Sequence, residues 1–150
     1  MTNYTLIEKP EMILVGIECR TSNNPEAGPK DIPLLWQKFY QDNIVSKIPN
    51  KSSTEIIALY CDYETDATGE YTVIIGCPVT SVEKLSKKLV SKIIPASKYA
   101  HFSAIGEFPE SLISTWNQIW QTKLPRTYTG DFEVYGEKAP NEVDLFIAVQ

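Results

Sequence analysis

Residues 126–137 read RTYTGDFEVYGE, and the middle of this stretch has the composition of a β-strand with one exception. Aromatic and β-branched residues favour strands, whereas Glu is depleted from strand interiors. Glu133 nevertheless stands between Phe132 and Val134. Either its side chain lies on a solvated face of the sheet, or the carboxylate is placed where a function needs it. Judged on this stretch alone, the solvated position is the more common one.

The segments around this strand predict a strand, a helix and a hairpin. A strand is expected over 98–106 and a helix over 109–123. DFEVYGE (131–137) and EVDLFIAVQ (142–150) then form the two strands of the hairpin, joined by the turn KAPN. The apolar face of the helix recurs at helical spacing and consists of Leu112, Ile113, Trp116, Ile119 and Trp120.

The first half of the chain predicts the same order of elements. A strand is expected over 12–19, a helix over 31–45, and strands over 55–62 and 70–78, the last two joined by the polar turn 64–69. The apolar face of this helix consists of Ile32, Leu35, Trp36, Phe39 and Tyr40. The unit strand–helix–strand–strand therefore occurs twice.

This duplication predicts one α+β domain over residues 1–150, with halves of approximately 1–80 and 90–150. Two long helices should lie against a mainly antiparallel sheet, related by a pseudo-two-fold axis. The connector 81–97 allows a short helical turn followed by an extended piece. The interface between two such halves is a common place for a small-molecule pocket.

Composition limits the function classes. The net charge is −5, which argues against a nucleic-acid surface, and no apolar run is long enough to span a bilayer. No signal peptide is recognisable, and three cysteines form an odd set, so we expect free thiols and a cytoplasmic location. A single histidine and no paired cysteines argue against a metal site, and no cofactor is expected. Eight Tyr and three Trp residues favour a partly open, aromatic interior.

The whole chain resembles the GyrI-like effector-binding superfamily, the ligand domains of AraC- and MerR-type drug-sensing regulators and their free-standing relatives. It is most similar to the single-domain, integron-associated effector-binding proteins. Five features in order carry this resemblance: the duplicated elements, EYTVIIGCPV (70–79), IPASKYAHFSAIG (94–106), Trp116 followed by Ile119, and RTYTGDFEVYGE leading to the final strand.

The resemblance implies a pocket between the halves, lined by aromatic rings, with a central glutamate on the penultimate strand. Within DFEVY that glutamate corresponds to Glu133, and Tyr135 lies on the same strand face. The residues that we expect to bind a ligand are Glu133, Trp36, Trp116, Tyr60, Tyr71, Tyr128 and Tyr135. A carboxylate in an apolar pocket favours a cation, so the ligand is expected to be a lipophilic, drug-like cation.

Two other function classes stay open. The chain is a candidate hydrolase of reactive small electrophiles, in which Glu133 activates water with help from Tyr135 or Tyr71. It is also a candidate interaction module that docks on a separate DNA-binding or effector protein, because no helix-turn-helix region accompanies the domain. The sequence separates neither transcriptional regulation from drug sequestration nor one oligomeric state from another.

Overall fold

A computed structural model of the chain describes residues 4–24, 28–66 and 68–150, and only the backbone of residues 28 and 29. Residue 67 of the expected turn 64–69 lies outside the described residues. In chain order the elements are β1 (Thr5–Lys9), β2 (Met12–Ser22), α1 (Gly28–Gln41), α2 (Ile44–Lys47), β3 (Ile56–Cys61), β4 (Glu70–Val79), β5 (Val90–Ile94), β6 (Ser97–Ile105), α3 (Glu110–Gln121), β7 (Asp131–Tyr135) and β8 (Glu142–Val149).

The sheet confirms the predicted α+β class and its antiparallel pairing. Its strand order is β1-β6-β8-β7-β3-β4-β2-β5, and every ladder is antiparallel. The second half contributes β6-β8-β7 and the first half contributes β3-β4-β2 in mirrored order, so the halves meet at the β3–β7 ladder. This arrangement is the predicted pseudo-two-fold duplication.

Two further strands close the sheet. β1 continues into β2, and β5 continues into β6, each across a two-residue break that contains a proline. Lys9 pairs with Ser97, and Met12, three residues later, pairs with Ile94, three residues earlier, so the two ladders share one register. The sheet therefore returns on itself, and it encloses an apolar interior.

The sheet has an enclosed face and a face covered by helices. The enclosed face holds side chains from strands of both halves, among them Leu14, Leu59, Tyr99, Phe132 and Phe146. On the outer face α1 packs Leu35 and Phe39 over the first half, and α3 packs Ile119 over the second. Because successive strand residues alternate between faces, Glu133 lies on the helix-covered face.

Close approach of β2 and β4 depends on two glycines that face each other. Gly16 pairs with Gly76, and a Cβ on Gly76 would collide with the carbonyl oxygen of Val15. A Cβ on Gly16 would likewise collide with the carbonyl oxygen of Ile75. Only glycine allows the two backbones to lie this close.

Several boundaries differ from those predicted. α1 covers Gly28–Gln41 instead of residues 31–45, and the short α2 follows it. In the connector, residues 81–89 form turns without the expected helical turn, whereas the expected extended piece is β5. Among the helices of the described ranges, none has the length and apolar character needed to cross a membrane.

Candidate functional site

Three polar side chains follow one another on the outer face of β7. Asp131, Glu133 and Tyr135 occupy alternate positions of the strand. β7 lies inside the sheet, between β3 and β8, and the helices cover this face. Asp131 and Glu133 are therefore fully buried, with exposed fractions of 0% and 1%. The solvated position that the isolated stretch favoured for Glu133 is wrong.

The Glu133 carboxylate accepts three hydrogen bonds from neutral donors. The Trp116 indole Nε1 donates to Oε2 at 2.6 Å, and the Tyr60 hydroxyl donates to the same oxygen at 3.0 Å. The Tyr135 hydroxyl donates to Oε1 at 2.7 Å. The three donors come from α3, from the neighbouring strand β3 and from β7 itself, so packing of the elements fixes the carboxylate from three directions.

Burial determines the electrostatics of this carboxylate. Loss of hydration raises the pKa of Glu133 above its usual value, and the three hydrogen bonds oppose that shift without cancelling it. Burial and then the Glu133 charge raise the pKa values of Tyr60 and Tyr135, so both remain protonated donors. Among the described residues, no Lys, Arg or His forms an ion pair with Glu133. When ionised, the carboxylate therefore has no cationic side chain beside it in the described part of the chain.

A cavity of about 210 Å³ opens above Glu133 between α1 and α3. Most of its lining is apolar or aromatic. The lining residues are Asn23, Ile32, Tyr60, Tyr63, Tyr71, Leu112, Ile113, Trp116, Trp120, Arg126 and Glu133.

The aromatic side chains form a continuous wall. The Trp116 ring lies 5.4 Å from that of Tyr60, which lies 5.9 Å from Tyr71, and Tyr71 lies 5.7 Å from Tyr63, between ring centroids. The Tyr71 hydroxyl donates to the Asn23 side chain at 2.7 Å, and burial raises the pKa of Tyr71 to about 12. This wall offers π faces and few charges to a ligand.

The second buried carboxylate of β7, Asp131, has a cationic partner. Arg126 Nη2 donates to Asp131 Oδ2 at 2.7 Å, and the Tyr63 hydroxyl donates to the same oxygen at 2.6 Å. The backbone N–H of Ala148 donates to Oδ1 at 2.8 Å. The two carboxylates of β7 therefore differ, because Asp131 is paired with a cation and Glu133 is not.

Four of the seven expected ligand-binding residues line the cavity: Glu133, Trp116, Tyr60 and Tyr71. Tyr135 bonds to Glu133 but does not line the cavity, and Trp36 packs on Tyr135 with 4.9 Å between ring centroids. Tyr128 lies beside Arg126, whose guanidinium carbon is 4.4 Å from the centre of the Tyr128 ring.

The other lining residues were not among the seven expected: Asn23, Ile32, Tyr63, Leu112, Ile113, Trp120 and Arg126. A signal existed for those on α3, because Leu112, Ile113 and Trp120 belong to its apolar face together with Trp116. A signal also existed for Asp131, which lies two strand residues from Glu133. Within the described ranges, no three His, Cys, Asp or Glu side chains form a group that could hold a metal ion.

The fold and the cavity define the class of protein. Two pseudo-symmetric halves, with two helices flanking a cavity on one face of the sheet, are the architecture of GyrI-like effector-binding domains. Residues 5–149 match the family model Cass2, described as integron-associated effector binding protein, and the chain belongs to this family.

Individual relatives agree with this assignment. The chain is 33% identical over 144 residues to YobU of Bacillus subtilis strain 168, and the match covers 90% of each chain. The name of YobU describes it as a candidate transcriptional regulator. It is 35% identical to the integron cassette protein VCH_CASS2 of Vibrio cholerae, with a TM-score of 0.78 over 98% of this chain and 95% of that one. SAV2435, solved with bound tetraphenylphosphonium, shares the fold at 20% identity, with a TM-score of 0.82 over 99% and 94%.

Proposed function

We propose that this effector-binding protein binds lipophilic cations in the cavity above Glu133. One observation carries the proposal: Glu133 is buried, and among the described residues it has neutral hydrogen-bond donors and no cationic partner. A buried charge without a counter-ion is costly, and a ligand cation would remove that cost. The residues proposed to bind the ligand are Glu133, Tyr60, Tyr71 and Trp116 in the cavity, with Tyr135, Trp36 and Tyr128 in supporting positions.

The aromatic wall explains how such a site would tolerate different ligands. A cation over a Tyr or Trp face gains about 0.5–2 kcal/mol per well-placed ring. Flat rings contact many apolar shapes equally well, so ligand charge would be selected more strictly than ligand shape. Glu133 would supply the selection for charge, and Tyr60, Tyr71 and Trp116 the apolar contact.

The cavity is small for a drug-like ligand. Its volume of about 210 Å³ lies below the roughly 300–1,000 Å³ that is usual for such sites. A larger cation would extend outward between the helices, where Ile113 and Trp120 are exposed and line the opening. We propose that the ligand's charged centre lies in the cavity and that its bulk lies against α3.

The biological role that we propose is ligand sensing in the cytoplasm. Occupancy would be transmitted to a separate DNA-binding or effector protein, or the protein would sequester the drug. Membership of the effector-binding family and the similarity to YobU support a regulatory setting.

A hydrolase is the second candidate, favoured by the raised pKa of Glu133, which suits a general base. Tyr135 bonds to Glu133 but does not line the cavity, so Tyr71 would be the residue that reaches a substrate. Turnover of an epoxide- or cyclopropane-bearing compound that is lost in Glu133→Ala would support this candidate. Turnover that is unchanged in Glu133→Ala would remove it.

Calorimetric titration with tetraphenylphosphonium tests the proposed function. Glu133→Gln preserves the shape of the side chain and removes its charge, and we expect it to weaken binding by about 2 kcal/mol or more, roughly thirtyfold. The matched control is Glu137→Gln, which removes a charge from an exposed residue near the same strand and should change the Kd less than twofold. Equal affinity of the wild type and Glu133→Gln would refute the proposal.

A further inference from the structure

The cavity has a second polar end, formed by Arg126. This residue lines the cavity, and its side chain is only 9% exposed. Arg carries five N–H donors, and the hydrogen bond to Asp131 uses one of the guanidinium nitrogens, Nη2. The Arg126 Nε is buried, and no described residue is its hydrogen-bond partner. Asp131 engages Nη2 alone among the described residues, so Arg126 keeps further guanidinium donors on the cavity lining for an acceptor on a ligand.

Arg126 is held in place before any ligand arrives. Its guanidinium stacks on the Tyr128 ring, with 4.4 Å between the carbon and the ring centre, and pairs with Asp131. Its backbone forms an isolated bridge to Val149 of β8. Side chain and backbone are therefore both fixed, so little conformational entropy remains to be lost when a ligand binds.

The charge at this end of the cavity is already compensated. Asp131 neutralises Arg126 and also accepts hydrogen bonds from Tyr63 and from the backbone N–H of Ala148. What this end offers is therefore an N–H donor without net positive charge. That distinguishes it from the Glu133 end, which offers net negative charge without a counter-ion.

We propose that Arg126 determines specificity by selecting cations that also carry a neutral hydrogen-bond acceptor, such as a carbonyl or ether oxygen. The inference rests on the proposed function, because the ligand's cationic group is taken to lie at Glu133. A carboxylate in place of the neutral acceptor is disfavoured, since it would lie beside the Asp131 charge. The preferred ligand therefore has a cationic end, an apolar middle and a neutral accepting end.

Strand geometry sets the spacing between the two ends. Asp131, which holds Arg126, and Glu133 are two residues apart on one face of β7, so their Cα atoms are separated by about 7 Å. Between the two ends run the rings of Tyr60, Tyr71 and Tyr63. A single aromatic ring between the ammonium and the acceptor gives the ligand a comparable span.

Three matched compounds test this selection by calorimetry. They are benzyltrimethylammonium ions that carry an ethyl, an acetyl or a carboxylate group at the para position. We expect the acetyl compound to bind the wild type about tenfold tighter than the ethyl compound, because its carbonyl oxygen accepts a hydrogen bond from the Arg126 guanidinium. The carboxylate compound should bind most weakly of the three.

Variants test whether Arg126 causes the preference for the acetyl compound. Arg126→Lys keeps a charge for Asp131 but removes the planar set of N–H donors, so the acetyl and ethyl compounds should bind within twofold of each other. Glu133→Gln should weaken the acetyl and ethyl compounds by a common factor and leave their ratio unchanged. Should Arg126→Lys fail to fold, the paired change Arg126→Gln with Asp131→Asn removes both charges. This double variant is expected to lose the preference for the acetyl over the ethyl compound.

The outcomes separate this inference from the proposed function. Equal binding of the acetyl and ethyl compounds to the wild type, with Glu133→Gln still weakening both, overturns the role of Arg126 alone. A preference for acetyl that persists in Arg126→Lys also overturns it. A preference for acetyl that depends on Arg126, with no effect of Glu133→Gln, overturns cation binding at Glu133 and leaves the acceptor site standing. Tightest binding of the carboxylate compound contradicts the neutrality of this end.

Discussion

Glu133 is a residue whose placement costs stability. Three hydrogen bonds stabilise its carboxylate, yet the raised pKa shows that the environment as a whole disfavours the ionised form. Folding therefore favours protonated Glu133. Its ionisation lowers the free energy of unfolding at high pH, and this loss disappears as the pH falls below the ordinary carboxyl value near 4.5.

Because ionisation of Glu133 lowers the free energy of unfolding, Glu133→Gln is predicted to stabilise the ligand-free protein. At pH 7.5 the variant should have the higher free energy of unfolding in urea, because it buries no charge. The difference should narrow steadily as the pH is lowered towards 4.5. A variant that is less stable than the wild type at pH 7.5 would show that the hydrogen bonds to the carboxylate outweigh its desolvation.

The same titration predicts how cation affinity depends on pH. Binding of a permanently charged ligand requires ionised Glu133, so affinity should be constant at high pH and fall as the pH drops through the raised pKa. The fall should begin at higher pH than for an exposed Glu. Fluorescence titrations with a quaternary ammonium across this range measure it, and Glu133→Gln should give a flat profile. A flat wild-type profile would contradict the account.

At the residue scale the sequence predicted Glu133 in the candidate site and missed Arg126. Glu133 was identified because the family resemblance overrode its solvated appearance in DFEVY. Arg126 lies in an irregular segment, and it was not among the residues expected to bind a ligand. Its burial arises from the backbone bridge to Val149 and from the stacking on Tyr128. Neither contact follows from a helical or alternating pattern in the sequence.

At the element scale, α3 separates its structural and proposed binding roles by face. Ile119 is buried against the sheet, whereas Trp120 is 52% exposed and lines the cavity opening. Around the helix, Trp116 lies between the buried face and the exposed face, and its indole N–H reaches Glu133. The helix is thus expected to tolerate changes at the opening without loss of its packing.

Trp120→Ala should therefore weaken cation binding severalfold with little change in stability. The lost contact is one aromatic face, about 0.5–2 kcal/mol. Tyr40→Ala is the matched control, because Tyr40 is an exposed aromatic residue, 63% accessible on α1, that does not line the cavity. Calorimetric titration and urea unfolding measure the two effects. A Tyr40→Ala effect as large as that of Trp120→Ala would contradict the proposed position of the ligand.

The β2–β4 ladder supplies a prediction about stability alone. Gly76→Ala should lower the free energy of unfolding by more than about 2 kcal/mol, because the new Cβ collides with the backbone of Val15. Gly136→Ala is the control, since a Cβ there meets only a Glu55 side-chain oxygen at ordinary contact distance, 3.5 Å. Urea unfolding compares the two variants. Equal stability of Gly76→Ala and Gly136→Ala would refute the close approach.

Elements with a clear period were predictable, and those without one were not. The two long helices and the six strands of the repeat have apolar residues at helical or alternating spacing, and the structure has all of them. β1 (TLIEK) was missed because it is short, half polar and followed at once by Pro10. It exists as the continuation of β2, paired with β6, so its cause is tertiary pairing and not local propensity.

At the scale of the whole molecule, the cavity belongs to both halves. Glu133 and Trp116 come from the second half, whereas Ile32, Tyr60 and Tyr71 come from the first. A ligand bound there would contact both halves at once. The topological duplication was visible in the sequence, but closure of the sheet through β1 and β5 was not.

Shared lining predicts that ligand binding stabilises the fold as a unit. A ligand at one hundred times its Kd should raise the free energy of unfolding by about 2.7 kcal/mol, and the melting temperature should rise in a single transition. Differential scanning calorimetry with and without tetraphenylphosphonium checks this. Two separate transitions, of which only one moves with ligand, would contradict binding across the halves.

Charge selection by the cavity is decided by comparing a cation with its uncharged isostere. Tryptophan fluorescence, reported by Trp36, Trp116 and Trp120, would be followed during titration with benzyltrimethylammonium and with neopentylbenzene, its uncharged carbon isostere. We expect a saturable change with the cation, at least about tenfold weaker binding of the isostere, and loss of this difference in affinity in Glu133→Gln. Equal binding of the two compounds to the wild type would contradict it.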